Sequence, residues 1–271
     1  MNNVLKSLKS AARDALPKRY QVPIKYWYGV VRGQLESEMA LLPFLVDKTS
    51  HVADIGGNRG TYAYRLQKLG ARLEIFEPNP SCASILRSWA RHHDNVEVHM
   101  VALSSEAGNA TLHVPIDEQG IEHDASASIE AVAEGLSHDI DVQLRPLDSF
   151  GFSDLDFIKI DTEGHESSVL AGARKTIDAS HPALLIEIEQ RHNRDEPVAA
   201  IFDRIIGLGY QGFFLRDQKL RPIEQFDVAR DQSTAAFVEN SGNYLNNFVF
   251  LAASRLAAGT YAPLARRWIE N

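Results

Sequence analysis

The chain has 271 residues, 44% of them hydrophobic and 24% charged, an ordinary globular balance with room for a sizeable core. A net charge of −8 argues against a nucleic-acid binder held by phosphate contacts, and the lone cysteine, Cys82, excludes an internal disulfide framework and suits a reducing compartment. No N-terminal run is long and apolar enough for a signal peptide or a membrane span, so a cytoplasmic address is expected.

The charge is unevenly spread. Residues 1–35 hold seven bases, Lys6, Lys9, Arg13, Lys18, Arg19, Lys25 and Arg32, against one acid, Asp14. Val4, Leu5, Leu8, Ala11, Ala12, Ala15 and Leu16 recur at helical spacing, which predicts a basic amphipathic helix ended by Pro17. Such a helix either packs on the domain or rests on an anionic membrane or lipid-linked glycan, peripherally at the inner membrane face. A second helical pattern runs from Gln34 to Leu42 before Pro43. Residues 1–47 therefore read as a helical appendage to a domain over 48–271.

From His51 onward, short apolar runs alternate with amphipathic helices. HVADIG is the first strand, GTYAYRLQKLG the first helix, RLEIFEP the second strand, and Asn79 caps a helix opened by Pro80. NVEVHMVAL and LDFIKID follow as strands, then a helix over Glu166–Ala179, the strand ALLIEIE, a helix over Val198–Leu208, and the late strands YQGFFLRD and NNFVFLAA. Repeated β-α units with near-continuous apolar strands predict a parallel sheet covered on both faces. Between Ser104 and Phe150 the alternation breaks. ATLHVPI and DIDVQLRPL flank a polar stretch containing DASAS, which predicts an inserted hairpin with a long loop. Its residues Asp124–Ser128 are expected to form an acceptor-side wall, apart from the loops that hold a cofactor.

Three segments carry chemistry. In VADIGGNRG, Gly56 and Gly57 allow a sharp turn and close approach of a ligand, and Gly60 lets the helix start pack tightly. A strict G-x-G-x-x-G cannot be placed; D-x-G-x-N-x-G stands instead, with Asp54 ahead of the turn and Asn58 inside it. Glu77 ends the second strand 21 residues beyond Gly56, where a carboxylate accepts hydrogen bonds from ribose hydroxyls in this class of fold. In IKIDTEGHE, Asp161 falls at the end of its strand, with Glu163, His165 and Glu166 close behind.

DIGGNRG, FEPNP, VALSSEAGNATL, LDFIKIDTEGHESSVLAGA and NNFVFLA together resemble the FkbM-type methyltransferases, over about Asp54 to Leu251. The resemblance implies a seven-stranded Rossmann-like α/β methyltransferase fold and S-adenosylmethionine as donor. It also implies a hydroxyl acceptor on a sugar, glycan or related small molecule. By position it assigns Asp54, Gly56, Asn58, Gly60 and Glu77 to the cofactor, with Gly57, Tyr62, Asn79 and Ala102 on the same segments, and sets Asp161 at the methyl-transfer end.

Asp161, Glu163 and His165 are the candidates for orienting and deprotonating a hydroxyl, His165 because it titrates near neutral pH. Glu187, Glu189 and His192 are expected to close the pocket from the neighbouring strand. Carboxylates and histidines there could hold Mg²⁺ or Mn²⁺, but no tight ligand spacing supports a metal. The alternatives are a nicotinamide oxidoreductase on the same fold and a catalytically inactive partner that keeps it. Oligomeric state is not legible.

Overall fold

The computed structural model describes residues 16–117, 120–130, 136–193, 195–233, 237 and 244–269. The basic helix expected over Val4–Leu16 falls outside these, apart from its last residue. Five strands form the parallel half of the main sheet: β1 (His51–Ile55), β2 (Arg72–Phe76), β3 (Val96–His99), β7 (Leu155–Ile160) and β8 (Ala183–Glu187). They pair β8-β7-β1-β2-β3, all in parallel. Beyond β8 the sheet continues antiparallel through β11 (Asn247–Ala252), β9 (Tyr210–Arg216) and β10 (Lys219–Pro222). The seven strands read from sequence are all present; β10 is an eighth, formed by a tight reversal at Asp217 and Gln218, both at positive φ. A short run, KLRP, carries no alternation from which to read a strand.

Apolar side chains on both sheet faces explain the layers. One face packs under α2 (Thr61–Lys68) and α3 (Pro80–Ala90) through Leu73, Ile75, Leu66 and Leu86; the other packs under α4 (Glu166–Gly172), α5 (Arg174–Ser180) and α6 (Val198–Ile206) through Ile158, Ile186, Ile177 and Ile201. The single helix expected over Glu166–Ala179 is broken at Ala173. A Cβ on Gly172 would stand 1.9 Å from the Ser104 carbonyl oxygen, so the chain there is pressed against the inserted segment. The strand read as NVEVHMVAL also divides. Val96–His99 stays in the main sheet, whereas β4 (Ala102–Leu103) leaves it and pairs with the insertion.

That insertion is a long antiparallel hairpin, β5 (Gly108–Ile116) with β6 (Leu136–Arg145), in register from Gly108 opposite Leu144 to Ile116 opposite Leu136. Ahead of β1, the expected helix over Gln34–Leu42 is replaced by a 3-10 turn, Ser37–Ala40, and a helical turn, Leu42–Leu45. Pro43 sits in the first turn of the latter, where its missing N–H costs no hydrogen bond. A helix that periodicity did not signal, α1 (Lys18–Arg32), follows directly after Pro17 and tolerates Pro23 inside it. Its Val22, with Met39, Leu42 and Val46, joins the same core as β1 and β2.

Candidate active site

A cleft opens at the carboxyl ends of β1, β2 and β7, the position where open α/β sheets collect ligands. The space in it that a water-sized group can reach is about 200 Å³, and its mouth opens to solvent. The turn after β1 is shaped for close approach. Gly56 has φ 81°, and a Cβ there would lie 1.8 Å from the Asp161 carbonyl oxygen, so no side chain is admissible. Asn58 takes the left-handed conformation at φ 46°, which asparagine tolerates better than most residues. Its backbone N–H donates to Glu77 Oε2 at 2.6 Å, while Asn79 N–H donates to Glu77 Oε1 at 2.7 Å. Glu77 is buried, which pushes its carboxyl up to about 7 against the pull of those two N–H groups.

Asp54, Gly56, Gly57, Asn58, Tyr62 and Glu77 all line the cleft, as does Ala102. Gly60 and Asn79 do not; Gly60 accommodates Val22 and Leu86, and Asn79 caps α3 by accepting from Ser81 N–H. Asp161, Glu163 and His165 line the opposite side. Their loop is held by Glu166, whose Oε1 accepts from Thr162 Oγ1 at 3.0 Å and Gly164 N–H at 3.0 Å, and Glu163 is held at a φ of 52°. Glu163 is pushed up to about 8 by burial and by Asp161 and Glu189, and pairs with His192 at 3.0 Å. His165 has both ring nitrogens engaged: Nδ1 with Glu130 at 2.6 Å and Nε2 with the Ser104 hydroxyl at 2.9 Å.

Several groups at the site were not singled out from sequence. Lys159 is paired in register with Asp54 on the neighbouring strand and is fully buried. Its ammonium lies 3.3 Å from Asp161 Oδ2 and 4.9 Å from the Tyr62 ring centre, and it makes no hydrogen bond. Burial opposes its charge, but Asp161, Glu36, Glu187 and Asp54 hold it above the usual lysine value. Asp54 Oδ2 likewise has no hydrogen-bond partner, and burial pushes that carboxyl up to about 7. Glu36 accepts from the Tyr62 hydroxyl at 2.6 Å. A charged residue inside the apolar strand LDFIKI was the one sequence signal for Lys159; Glu36 had none.

Two expectations need correction. Glu187, Glu189 and His192 do not line the cleft: Glu187 is bonded by Asn246, Glu189 by Tyr244 and Arg191, and His192 stands behind Glu163. Nor is the insertion separate from the cofactor-side loop. Asp124 forms an ion pair with Arg59 at 2.6 Å, and its backbone oxygen accepts from the Asn58 amide at 2.9 Å. The Asn79 amide reaches its carboxylate at 3.3 Å. Asp124, Ala125 and Ala127 line the cleft beside Glu77, and Ser128 donates to the Glu163 carbonyl, so one segment touches both motif loops.

The model for the methyltransferase FkbM domain matches residues 54–215. The chain belongs to this family. Its curated relative, the 2-O-methyltransferase NoeI of Sinorhizobium fredii (strain NBRC 101917 / NGR234), is 33% identical over 141 residues, 46% of this chain and 58% of the relative. The match thus spans little more than half of that relative's length. Among solved structures, the methyltransferase FkbM from Methylobacillus flagellatus KT is 17% identical, covering 92% of this chain and 59% of its own, with a TM-score of 0.49. A TehB-like SAM-dependent methyltransferase from Corynebacterium glutamicum ATCC 13032 Kitasato is 11% identical over 88% of this chain and all of its own, at 0.43. No comparison favours the nicotinamide alternative.

Family membership makes S-adenosylmethionine the methyl donor, and the cleft suits it. A glycine turn that admits backbone approach, the buried carboxylate of Glu77, and two buried atoms without a hydrogen bond, Asp54 Oδ2 and Lys159 Nζ, face one space. Among the described residues, the group with metal-ligand spacing is Glu74, Glu97 and His99, none of which lines the cleft.

Proposed function

We propose that this FkbM-family enzyme transfers the methyl group of S-adenosylmethionine to a hydroxyl of a sugar, glycan or similar small molecule. The observation that carries the hydroxyl reading is His165. Glu130 holds its Nδ1 and thereby orients the ring at the cleft wall, with Nε2 against the buried Ser104 hydroxyl. A ring held this way by a carboxylate is suited to take an acceptor hydroxyl's proton at Nε2 once that hydroxyl replaces Ser104 there.

When bound, S-adenosylmethionine supplies an electrophilic methyl group on a good leaving group, so alignment of acceptor and donor is the main task. Glu77 keeps lone pairs free for ribose hydroxyls while it pins the Asn58 and Asn79 backbone. Gly56 and Gly57 leave the turn open for the donor. Asp54 and Lys159 form an adjacent pair matched to a zwitterionic amino-acid group, the anion beside the ammonium and the cation beside the carboxylate. Asp161, held by Lys159, presents a negative edge to the acceptor, and Glu163, backed by His192, closes the far wall. The relative NoeI is a 2-O-methyltransferase, which agrees with an oxygen acceptor.

The test is incubation with methyl-labelled S-adenosylmethionine and a panel of hydroxylated glycans, with the product read by mass spectrometry. Label on a carbohydrate oxygen is the expected result. His165→Ala should lower kcat by about 10²–10⁴-fold and flatten the limb of the pH profile that rises as the base loses its proton. Label on nitrogen or carbon, or a His165→Ala enzyme with an unchanged profile, would overturn the reading.

A further inference from the structure

Helix α1 turns Val22 and Gly29 inward against α2 and α3. On the opposite side stand Tyr20, Ile24, Trp27, Tyr28 and Val31, whose spacing traces a single stripe along a helix. All five are exposed, Trp27 by 56% and Val31 by 82%. Of the ten exposed large hydrophobic residues among the described ones, six lie on this helix, so the apolar surface is concentrated rather than scattered. The helix contains no acid; Arg19 and Arg32 flank the stripe, while the Lys18 ammonium bonds Ser84 and the Lys25 ammonium bonds Asn58 on the inward side. Two of these bases stack on its aromatics, Arg19 over Tyr20 at 4.6 Å and Arg32 over Tyr28 at 5.8 Å.

We propose that α1 is an interfacial helix that seats the protein on an anionic lipid bilayer. An outward apolar stripe with bases along its borders matches both parts of a membrane surface: the stripe enters the headgroup–acyl boundary and the bases meet anionic headgroups. Tyrosine and tryptophan are the side chains that favour this depth, because their rings are apolar and their tips polar. Charge selects this occupant over two others. A second copy docked stripe to stripe would bring the same bases against each other, with no acid on the helix to relieve them. The upstream segment of this chain is itself basic, through Lys6, Lys9 and Arg13 against Asp14, and would repel in the same way. The protein as a whole is acidic, so this positive surface would not arise from its average composition.

The seat has a consequence for the cleft. Lys25, on the inward flank of α1, lines the cleft and donates to Asn58 Oδ1 at 3.3 Å. A protein docked through α1 therefore keeps the cleft next to the membrane-bound helix. This goes beyond methyl transfer and does not depend on it.

The test is sedimentation of the full chain with phosphatidylcholine vesicles, with and without phosphatidylglycerol, at low and high salt. The comparison is with Ile24→Glu/Val31→Glu, two exposed positions whose substitution spares the inward face. The wild type should pellet with the phosphatidylglycerol vesicles at low salt and be released by high salt. The double variant should bind at least about tenfold more weakly, with an unchanged melting temperature and an unchanged thermal shift with S-adenosylmethionine. A wild type that ignores phosphatidylglycerol vesicles, or a variant that binds as well as wild type, would overturn the proposal. So would a wild-type dimer in solution that the variant converts to monomer, since the stripe would then be a subunit interface.

Discussion

Two clusters of buried charge, set on the same sheet, are built in opposite ways. On the flank formed by β1, β2 and β3, Glu74 is sandwiched between His51 Nε2 at 3.3 Å and His99 Nε2 at 2.8 Å, with Arg72 at 3.3 Å; His51 is tied in turn to Asp154 at 2.8 Å. Burial would raise the Glu74 carboxyl, but the histidine hydrogen bonds outweigh it and hold the group down at about 2. At the cleft the balance is reversed. Asp54 and Glu77 are both pushed up to about 7, Glu163 to about 8, and Lys159 has no hydrogen bond. A fully satisfied cluster stabilises the fold by itself, whereas an under-partnered one is costly until a ligand completes it. The contrast is one of partnering: the first cluster is closed by its own hydrogen bonds, whereas Asp54 Oδ2 and Lys159 Nζ in the second have none.

The largest effect that would sharpen this contrast lies on the cleft side. Asp161→Asn removes the carboxylate that Lys159 faces and should cut turnover by at least about 10²-fold, while the melting temperature moves little. Steady-state kinetics beside a thermal melt would check it; unchanged turnover would remove Asp161 from the site. On the other flank, Glu74→Gln should cost about 1–3 kcal/mol of stability and leave methyl transfer unaffected.

That cost carries a pH signature with a definite sign. Glu74 is depressed from 4.5 to about 2, so its contribution is present above pH 4.5 and is lost as pH falls towards 2. His51 is raised from 6.5, its hydrogen bonds to Glu74 and Asp154 outweighing burial. Its contribution is present below pH 6.5 and lost as pH rises through the folded-state value. The difference between wild type and Glu74→Gln should therefore be greatest near pH 5.5, as read by denaturant melts across pH.

The smallest effect has the opposite sign. Asp54 is raised from 3.8 to about 7, so the wild type loses stability as pH rises across that interval and bears the full cost above it. Asp54→Asn should be about 1 kcal/mol more stable than wild type at pH 8, with a smaller gain at pH 5, and should bind S-adenosylmethionine more weakly. A variant less stable than wild type at pH 8 would place Asp54 among the structural charges.

How much of this was legible in sequence follows from the range of the interactions. The strands were legible because each is an apolar run, several with a glycine or proline at one end, and the turn at Gly56 because only glycine fits against Asp161. The seam between β3 and β4 was hidden, since NVEVHMVAL is uniformly strand-like and the chain changes sheets only because the hairpin recruits Ala102. Helix α1 escaped because Pro23 and a run of aromatic and β-branched residues obscure its period. In the site, Asp54, Glu77 and Asp161 announced themselves by position at strand ends. Glu36 and Glu130 did not, and Asp124, expected in an acceptor-side wall, gave no sign of its bond to Arg59, because the partners Tyr62, His165 and Arg59 lie 26, 35 and 65 residues away in the chain. Long-range pairing of that kind leaves no local spacing to read.

The central claim is that the under-partnered cleft is completed by S-adenosylmethionine. Calorimetric titration of the wild type and Glu77→Ala with S-adenosylmethionine and with NAD tests it most directly, since Glu77 lines the cleft and accepts from the Asn58 N–H of the glycine turn. The account predicts S-adenosylmethionine binding to the wild type, marked weakening in Glu77→Ala with the fold retained, and no binding of NAD to either. Equal affinity of both proteins for S-adenosylmethionine, or preferential binding of NAD, would contradict it.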